Sequence, residues 1–243
     1  MFIWLKENEN QITSQKTYKT RHKIELMKIN DLQLPEYFKE HYTKFPDLTP
    51  IQEKAINANL LKEKSLLICA PTASGKTLVA TMAITNVIKE GKAIYLVPLK
   101  ALANEKYKEY QELFKDTNYK VVMSTGDIDS DSSYLANYDL LILTTEKLDS
   151  LLRHKISWIG EIKTVVIDEI HLLNDPSRGP TLEIIITLLK QLIKPQIIGL
   201  SATIGNPKEL ADWLEAELVQ DDWRPVELKK GIHLEKKTEF YPK

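Results

Sequence analysis

A single cysteine, Cys69, in a chain of 243 residues excludes an intrachain disulfide and suits a reducing compartment. It lies inside the apolar run Leu66-Leu67-Ile68-Cys69, which makes it a packing residue. No stretch approaches the length of a membrane span, and the opening Met1 to Leu5 runs into charges too soon for a secretory signal. A soluble, cytoplasmic location with no membrane partner is the expectation. An excess of charge of either sign is also lacking. The 33 Lys and Arg against 34 Asp and Glu leave −1, so any nucleic-acid surface must be a local stripe. None of the five histidines shows metal-ligand spacing with cysteine, so no zinc site is expected. Internal repeats and low-complexity tracts are lacking too.

What is present is a globular composition, 43% hydrophobic and 28% charged, with enough length for one large or two small domains. Apolar, β-branched runs at 65–70, 92–97, 120–125, 139–144, 163–168 and 196–201 predict strands. Amphipathic stretches near 76–90, 100–115, 145–153 and 181–193 predict helices between them, and Pro207 opens a shorter one reaching Leu214. This alternation predicts an α/β fold with a parallel sheet, and strands apolar on both faces imply helices on both sides. Ligands of such sheets bind at the carboxyl ends of the strands.

Two strand ends carry chemistry. Ala70, Pro71, Thr72, Ala73, Ser74, Gly75, Lys76 and Thr77 stand between a strand and a helix. Such a turn exposes successive backbone N–H groups, and the helix N-terminus favours an anion. Lys76 is placed to neutralise β- and γ-phosphates, and the Thr77 hydroxyl to ligate Mg²⁺. The strict pattern G-x-x-x-x-G-K-S/T asks for glycine where this chain has Ala70. A second run, Thr164-Val165-Val166-Ile167, ends in Asp168 and Glu169. Beside a bound phosphate chain, Asp168 would hold Mg²⁺ and Glu169 would orient and deprotonate a water. Without a cation, two adjacent carboxylates would repel each other for no gain.

The set Leu-Thr-Pro-Ile-Gln (48–52), APTASGKT (70–77), VPLKALANEKY (97–107), TTEKLDSLLR (144–153), DEIH (168–171), DPSRGPTLE (175–183) and SATIGNPKELADWL (201–214) resembles the first motor domain of superfamily 2 DExH helicases. Within these it is most similar to the archaeal Hjm/HelQ-type DNA helicases, relatives of the Ski-type RNA helicases. Alanine at position 70 is normal there. The resemblance runs from about Met27 to the segment Trp223-Arg224-Pro225, which is similar to the family's link between two motor domains. It implies a RecA-like domain over 27–222, an extension over 1–26, and the start of a linker over 223–243. The implied cofactors are ATP and Mg²⁺. The implied partners are single-stranded or forked DNA, with RNA as the alternative, and the implied setting is repair or fork processing near the nucleoid.

Roles follow residue by residue from the same resemblance. Gln52 corresponds to an adenine-reading glutamine, and Phe45 or Tyr42 upstream could stack on the base or pack in the core. Lys100 follows a strand and opens a helix where the family meets strand phosphates, although a solvated lysine would look the same. Thr144 and Thr145 occupy a comparable turn, where hydroxyls cap a helix or bond a phosphate. Arg178 falls in a family segment near the nucleic-acid channel. Ser201 and Thr203 can hydrogen-bond toward the acids, and with His171 they would couple nucleotide state to the nucleic-acid groove.

After Thr203 only 40 residues follow. A second motor domain needs on the order of 150. Such a domain would bring the arginine finger, worth about 10³–10⁵ in rate in related NTPases. The expectation is therefore one lobe of a motor, completed in cis or by a separate chain and weakly active alone. An ATP-gated interaction module is the competing expectation.

Overall fold

The structure is a computed structural model that describes residues 27–126, 133–154, 156–226, 231–234 and 237–240. The extension expected over 1–26 lies outside the described residues.

Seven strands form one parallel sheet: β1 (Leu66–Cys69), β2 (Lys92–Val97), β3 (Val121–Ser124), β4 (Leu140–Thr144), β5 (Ile162–Ile167), β6 (Gln196–Ser201) and β7 (Glu217–Gln220). Their order across the sheet is β3-β4-β2-β5-β6-β1-β7. The chain thus travels from β1 outward to β3, then returns through β4, β5 and β6 to β7. Parallel crossovers are right-handed, so outward and return connections must lie on opposite faces. The outward helices are α3 (Lys76–Val87) and α4 (Lys100–Leu113). The return helices are α5 (Thr145–Arg153), α6 (Gly179–Leu192) and α7 (Pro207–Leu214). Two further helices, α1 (Glu36–His41) and α2 (Pro50–Asn57), precede the sheet and join the outward face.

Each strand feeds both layers in alternation, as the period of two requires. Leu66 and Ile68 of β1 pack with Val79 and Met82 of α3, whereas Leu67 and Cys69 pack in the core of Leu148, Ile185 and Leu214. Ala93, Tyr95 and Val97 of β2 face the first core, and Ile94 and Leu96 face the second. Buried polar groups are satisfied where the layers meet loops. Gln196 accepts from the Thr164 hydroxyl at 2.8 Å and donates to the carbonyl of Leu60 at 2.9 Å.

The six expected strands and the expected helices are present, with no end shifted by more than three residues. The edge strand β7 and the helices α1 and α2 were not expected. The 223–243 segment, expected as linker, contains an antiparallel hairpin of β8 (Gly231–Leu234) and β9 (Lys237–Phe240). The Met27 N–H donates to Glu53 at 2.6 Å, and its carbonyl accepts from the Leu48 N–H at 2.9 Å.

The site-forming edge follows from this topology. The connection leaving β1 crosses one face, while those leaving β5 and β6 cross the other. Their carboxyl ends therefore diverge around a crevice, the usual ligand position in open α/β sheets.

Candidate nucleotide-binding site

The loop 70–75 leaves β1 beside β6, where the Ala70 N–H donates to the Ser201 carbonyl at 3.2 Å. Two left-handed residues shape it, Ala73 at φ 64° and Gly75 at φ 97°. Glycine takes that conformation without penalty, whereas Ala73 carries strain of the kind found at functional sites. Ser74 is buried, and its hydroxyl has no hydrogen-bond partner among the described residues. An orphaned buried hydroxyl in such a loop fits a site built for a polar ligand.

A second layer clamps the loop from α2. Thr49 and Gln52 form a reciprocal capping box, and the Thr49 N–H donates to Gln52 Oε1 at 2.9 Å. Both side chains then reach the loop. Thr49 Oγ1 donates to the Ser74 carbonyl at 2.8 Å, and Gln52 Nε2 donates to the Gly75 carbonyl at 3.0 Å. The buried Gln52 is thereby tied to the loop, with one amide N–H and one oxygen lone pair left over for any base. Of the upstream aromatics, Tyr42 packs on Phe38 with ring centroids 4.9 Å apart. Phe45 is 55% exposed, so core packing does not account for it.

Lys76 opens α3 and turns back over the loop, donating to the carbonyls of Ala70 at 2.6 Å and Pro71 at 2.9 Å. Burial lowers its pKa, and the carboxylates of Glu169 and Asp168 oppose that shift. The two acids from β5 and the lysine after β1 therefore share one electrostatic site. Asp168 is held on both oxygens: Oδ2 accepts from the Tyr95 hydroxyl and Oδ1 from the Glu169 N–H, each at 3.0 Å. Burial raises its pKa, and the Tyr95 hydrogen bond and the Lys106 charge hold the rise in check. Glu169 is left-handed at φ 52°, and its side chain is part-exposed, with Oε2 lying 3.3 Å from His171 Nδ1.

Among the described residues no three His, Cys, Asp or Glu side chains cluster as a metal cage. Asp168 with the Thr77 hydroxyl is instead the sparse, hard-oxygen set that suits Mg²⁺, which keeps waters and takes further ligands from phosphates. The residues present fit a magnesium–nucleotide complex.

Ser201 was expected to hydrogen-bond toward the acids. Its hydroxyl is buried and makes no hydrogen bond among the described residues, while Asp168 is already engaged by Tyr95 and Glu169. Thr203 is exposed. Thr144 caps α5 by accepting from the Lys147 N–H at 3.4 Å. A small cleft brings Thr145 and Arg178 together with Asp168, between Leu96, Pro98 and Ile167. Lys100 is exposed at the first position of α4, on the same edge but not lining that cleft. Arg178 precedes Gly179, where a Cβ would stand 2.1 Å from the Leu173 carbonyl oxygen, so that approach requires glycine.

Three residues of the site escaped the sequence reading, and each had a signal. Thr49 is the first residue of a T-x-x-Q capping box. Tyr95 puts a polar tip into a buried aliphatic strand, where its hydroxyl needs a partner. Lys106 sits on the apolar stripe of Ala103, Tyr110 and Leu113.

The model of the DEAD/DEAH box helicase family matches residues 49–210, well over half of the chain. The chain belongs to that family. It is 53% identical over 210 residues to an ATP-dependent DNA helicase Hel308 of Pyrococcus horikoshii, covering 85% of this chain and 29% of that protein. Similarity to the Hel308 of Methanocaldococcus jannaschii is 54% over 202 residues, covering 80% of this chain and 17% of that protein. The chain spans less than a third of the length of these relatives. Among solved structures it resembles a DUF1998 helicase MrfA bound to DNA, with TM-score 0.69 and 28% identity over 79% of this chain and 30% of that one. The RecA-like sheet of a DEAD/DEAH box helicase domain is thus the fold of this family member.

Proposed function

We propose that this chain is the ATP-binding lobe of a DNA-directed, 3′ to 5′ helicase or translocase working inside the cell on single-stranded or forked DNA. The observation that carries the reading is the meeting of Lys76, after β1, with Asp168 and Glu169, after β5, at the carboxyl edge of one parallel sheet in which only β6 separates the two strands. The Hel308 relatives, described as ATP-dependent DNA helicases, support it. So does the DNA-bound state of the solved relative, which favours DNA over RNA.

In this reading the N–H groups of the loop and the Lys76 ammonium take the phosphates, and Gln52 holds the loop while offering its remaining amide groups to adenine. Bound Mg²⁺, held by Thr77 and Asp168, would neutralise charge on the phosphate oxygens. Glu169, solvent-facing and next to His171, accepts the proton of the attacking water. Thr145, Arg178 and Lys100 contact strand phosphates, which positions without reading sequence. His171, Ser201 and Thr203 lie on the side that reports nucleotide state to a second RecA-like domain, in cis or on a separate chain.

The test is binding of a fluorescent ATP analogue to the chain. Lys76→Ala should weaken it by roughly 10- to 100-fold, the range for losing hydrogen bonds to a charged group. Glu169→Gln should leave binding intact and stop hydrolysis once a second lobe is supplied. Equal affinity in Lys76→Ala would overturn the reading. Stimulation by a matched RNA oligonucleotide but not by DNA would replace it with an RNA-directed motor.

A further inference from the structure

The two residues assigned to Mg²⁺, Thr77 and Asp168, lie on different elements, α3 and the end of β5. Both are tied to the buried face of α4. From the Asp168 side, the Tyr95 hydroxyl donates to Oδ2 at 3.0 Å, and the Tyr95 ring meets Tyr110 of α4 with centroids 5.8 Å apart. From the Thr77 side, its carbonyl accepts from the Thr81 hydroxyl at 3.0 Å, and Thr81 Oγ1 lies 3.1 Å from the Tyr110 hydroxyl. Lys106, one turn before Tyr110 on the same face, places Nζ 5.9 Å from the Tyr95 ring centroid and 2.7 Å from Glu109 Oε2. All of Tyr95, Tyr110, Thr81 and Lys106 are buried. Tyr95, Tyr110 and Lys106 also carry a polar group that packing alone does not need.

We infer that Tyr95, Tyr110 and Lys106 are positioning residues for the magnesium–nucleotide complex: they set Asp168 relative to Thr77 through the inner face of α4. The inference rests on the nucleotide-binding reading above. A partly buried carboxylate can rotate about its χ angles, and the Tyr95 hydroxyl removes that freedom by holding Oδ2. Oδ1 is held by the backbone, so the carboxylate plane is fixed by two donors on separate elements. Outer-layer partners of this kind are worth about 10–100-fold in metal affinity elsewhere.

The measurement is the affinity of the 243-residue chain for a fluorescent ATP analogue, in EDTA and across a Mg²⁺ titration. Tyr95→Phe keeps the ring and removes only the hydroxyl. It should leave affinity in EDTA unchanged and raise the half-saturating Mg²⁺ by about tenfold. Lys106→Met, which keeps the stem, should shift it in the same direction. Tyr107→Phe is the control. It removes a hydroxyl from the same helix that bonds the Gln111 side chain at 2.7 Å, away from this network. An unaltered Mg²⁺ dependence in Tyr95→Phe overturns the inference, as does an equal shift in Tyr107→Phe. Failure of the unsubstituted chain to bind the analogue in either condition overturns the nucleotide reading instead. Thermal melts in EDTA identify a variant that is merely loosened: an equal loss of affinity with and without Mg²⁺ would count against positioning.

Discussion

Gly75 combines φ 97° with neighbours that leave no room for a side chain, since a Cβ there would stand 2.3 Å from Gln52 Nε2. Gly75→Ala therefore strains the backbone and dislodges the clamp that Gln52 and Thr49 place on the loop. The expected outcome is loss of nucleotide binding, with only a modest drop in melting temperature because Gly75 itself belongs to neither core. Equilibrium binding beside a thermal melt separates the two. Cys69, one residue before the loop, has its thiol pushed up to about 11 by burial. A raised folded pKa means that the thiol's contribution to stability is intact below the ordinary thiol value. It is lost as pH rises through about 11. A disulfide reagent at pH 8 should consequently label Cys69 only as fast as the fold opens, and Cys69→Ala should remove this component of alkaline destabilisation.

At the scale of elements, α6 shows how a return helix is held: Leu182, Ile185, Ile186 and Leu189 make a buried stripe in the core layer that also takes Val165 of β5 and Ile197 of β6. Leu189→Ala should cost about 2–5 kcal/mol. At roughly 2–4 °C per kcal/mol for a chain of this size, that is a fall in melting temperature on the order of 4–20 °C. Nucleotide affinity should hold, since α6 packs on the face opposite α3. The elements differ in how plainly the sequence announces them. Runs such as Leu140–Thr144 are apolar throughout because both faces are covered, and they read as strands without help. Glu217–Gln220 reads poorly because it is an edge strand with two exposed glutamate and glutamine ends, specified by its partner β1 rather than by its own composition. The turn after β1 and the paired acids after β5 were legible as positions because each signal lies within a few consecutive residues. The tie between Tyr95 and Asp168 was not, because it joins residues 73 positions apart. Likewise, no local pattern says that the Ser201 hydroxyl makes no hydrogen bond among the described residues.

For the whole molecule, a net charge of −1 means that nucleic-acid binding must rest on a few placed cations. If Lys100 and Arg178 each meet a strand phosphate, the logarithm of affinity should fall with the logarithm of salt with a slope near −1.4, about −0.7 per contact. Lys100→Ala should flatten that slope by about 0.7 and weaken all sequences alike. Fluorescence anisotropy with a labelled oligonucleotide across a KCl series reads both. An unchanged slope would remove Lys100 from the contact.

The alternation along β1 has a mechanical consequence. Leu66 and Ile68 engage one core while Leu67 and Cys69 engage the other, and β6 and β7 bracket the strand on both sides. A slip by a single residue would unseat four side chains from two separate interiors at once and break two ladders. The strand is thus keyed like a lock cut on both edges, and the loop that springs from its end inherits that precision. The nucleotide site proposed above is thus mounted on a strand whose register is fixed from both faces and both edges.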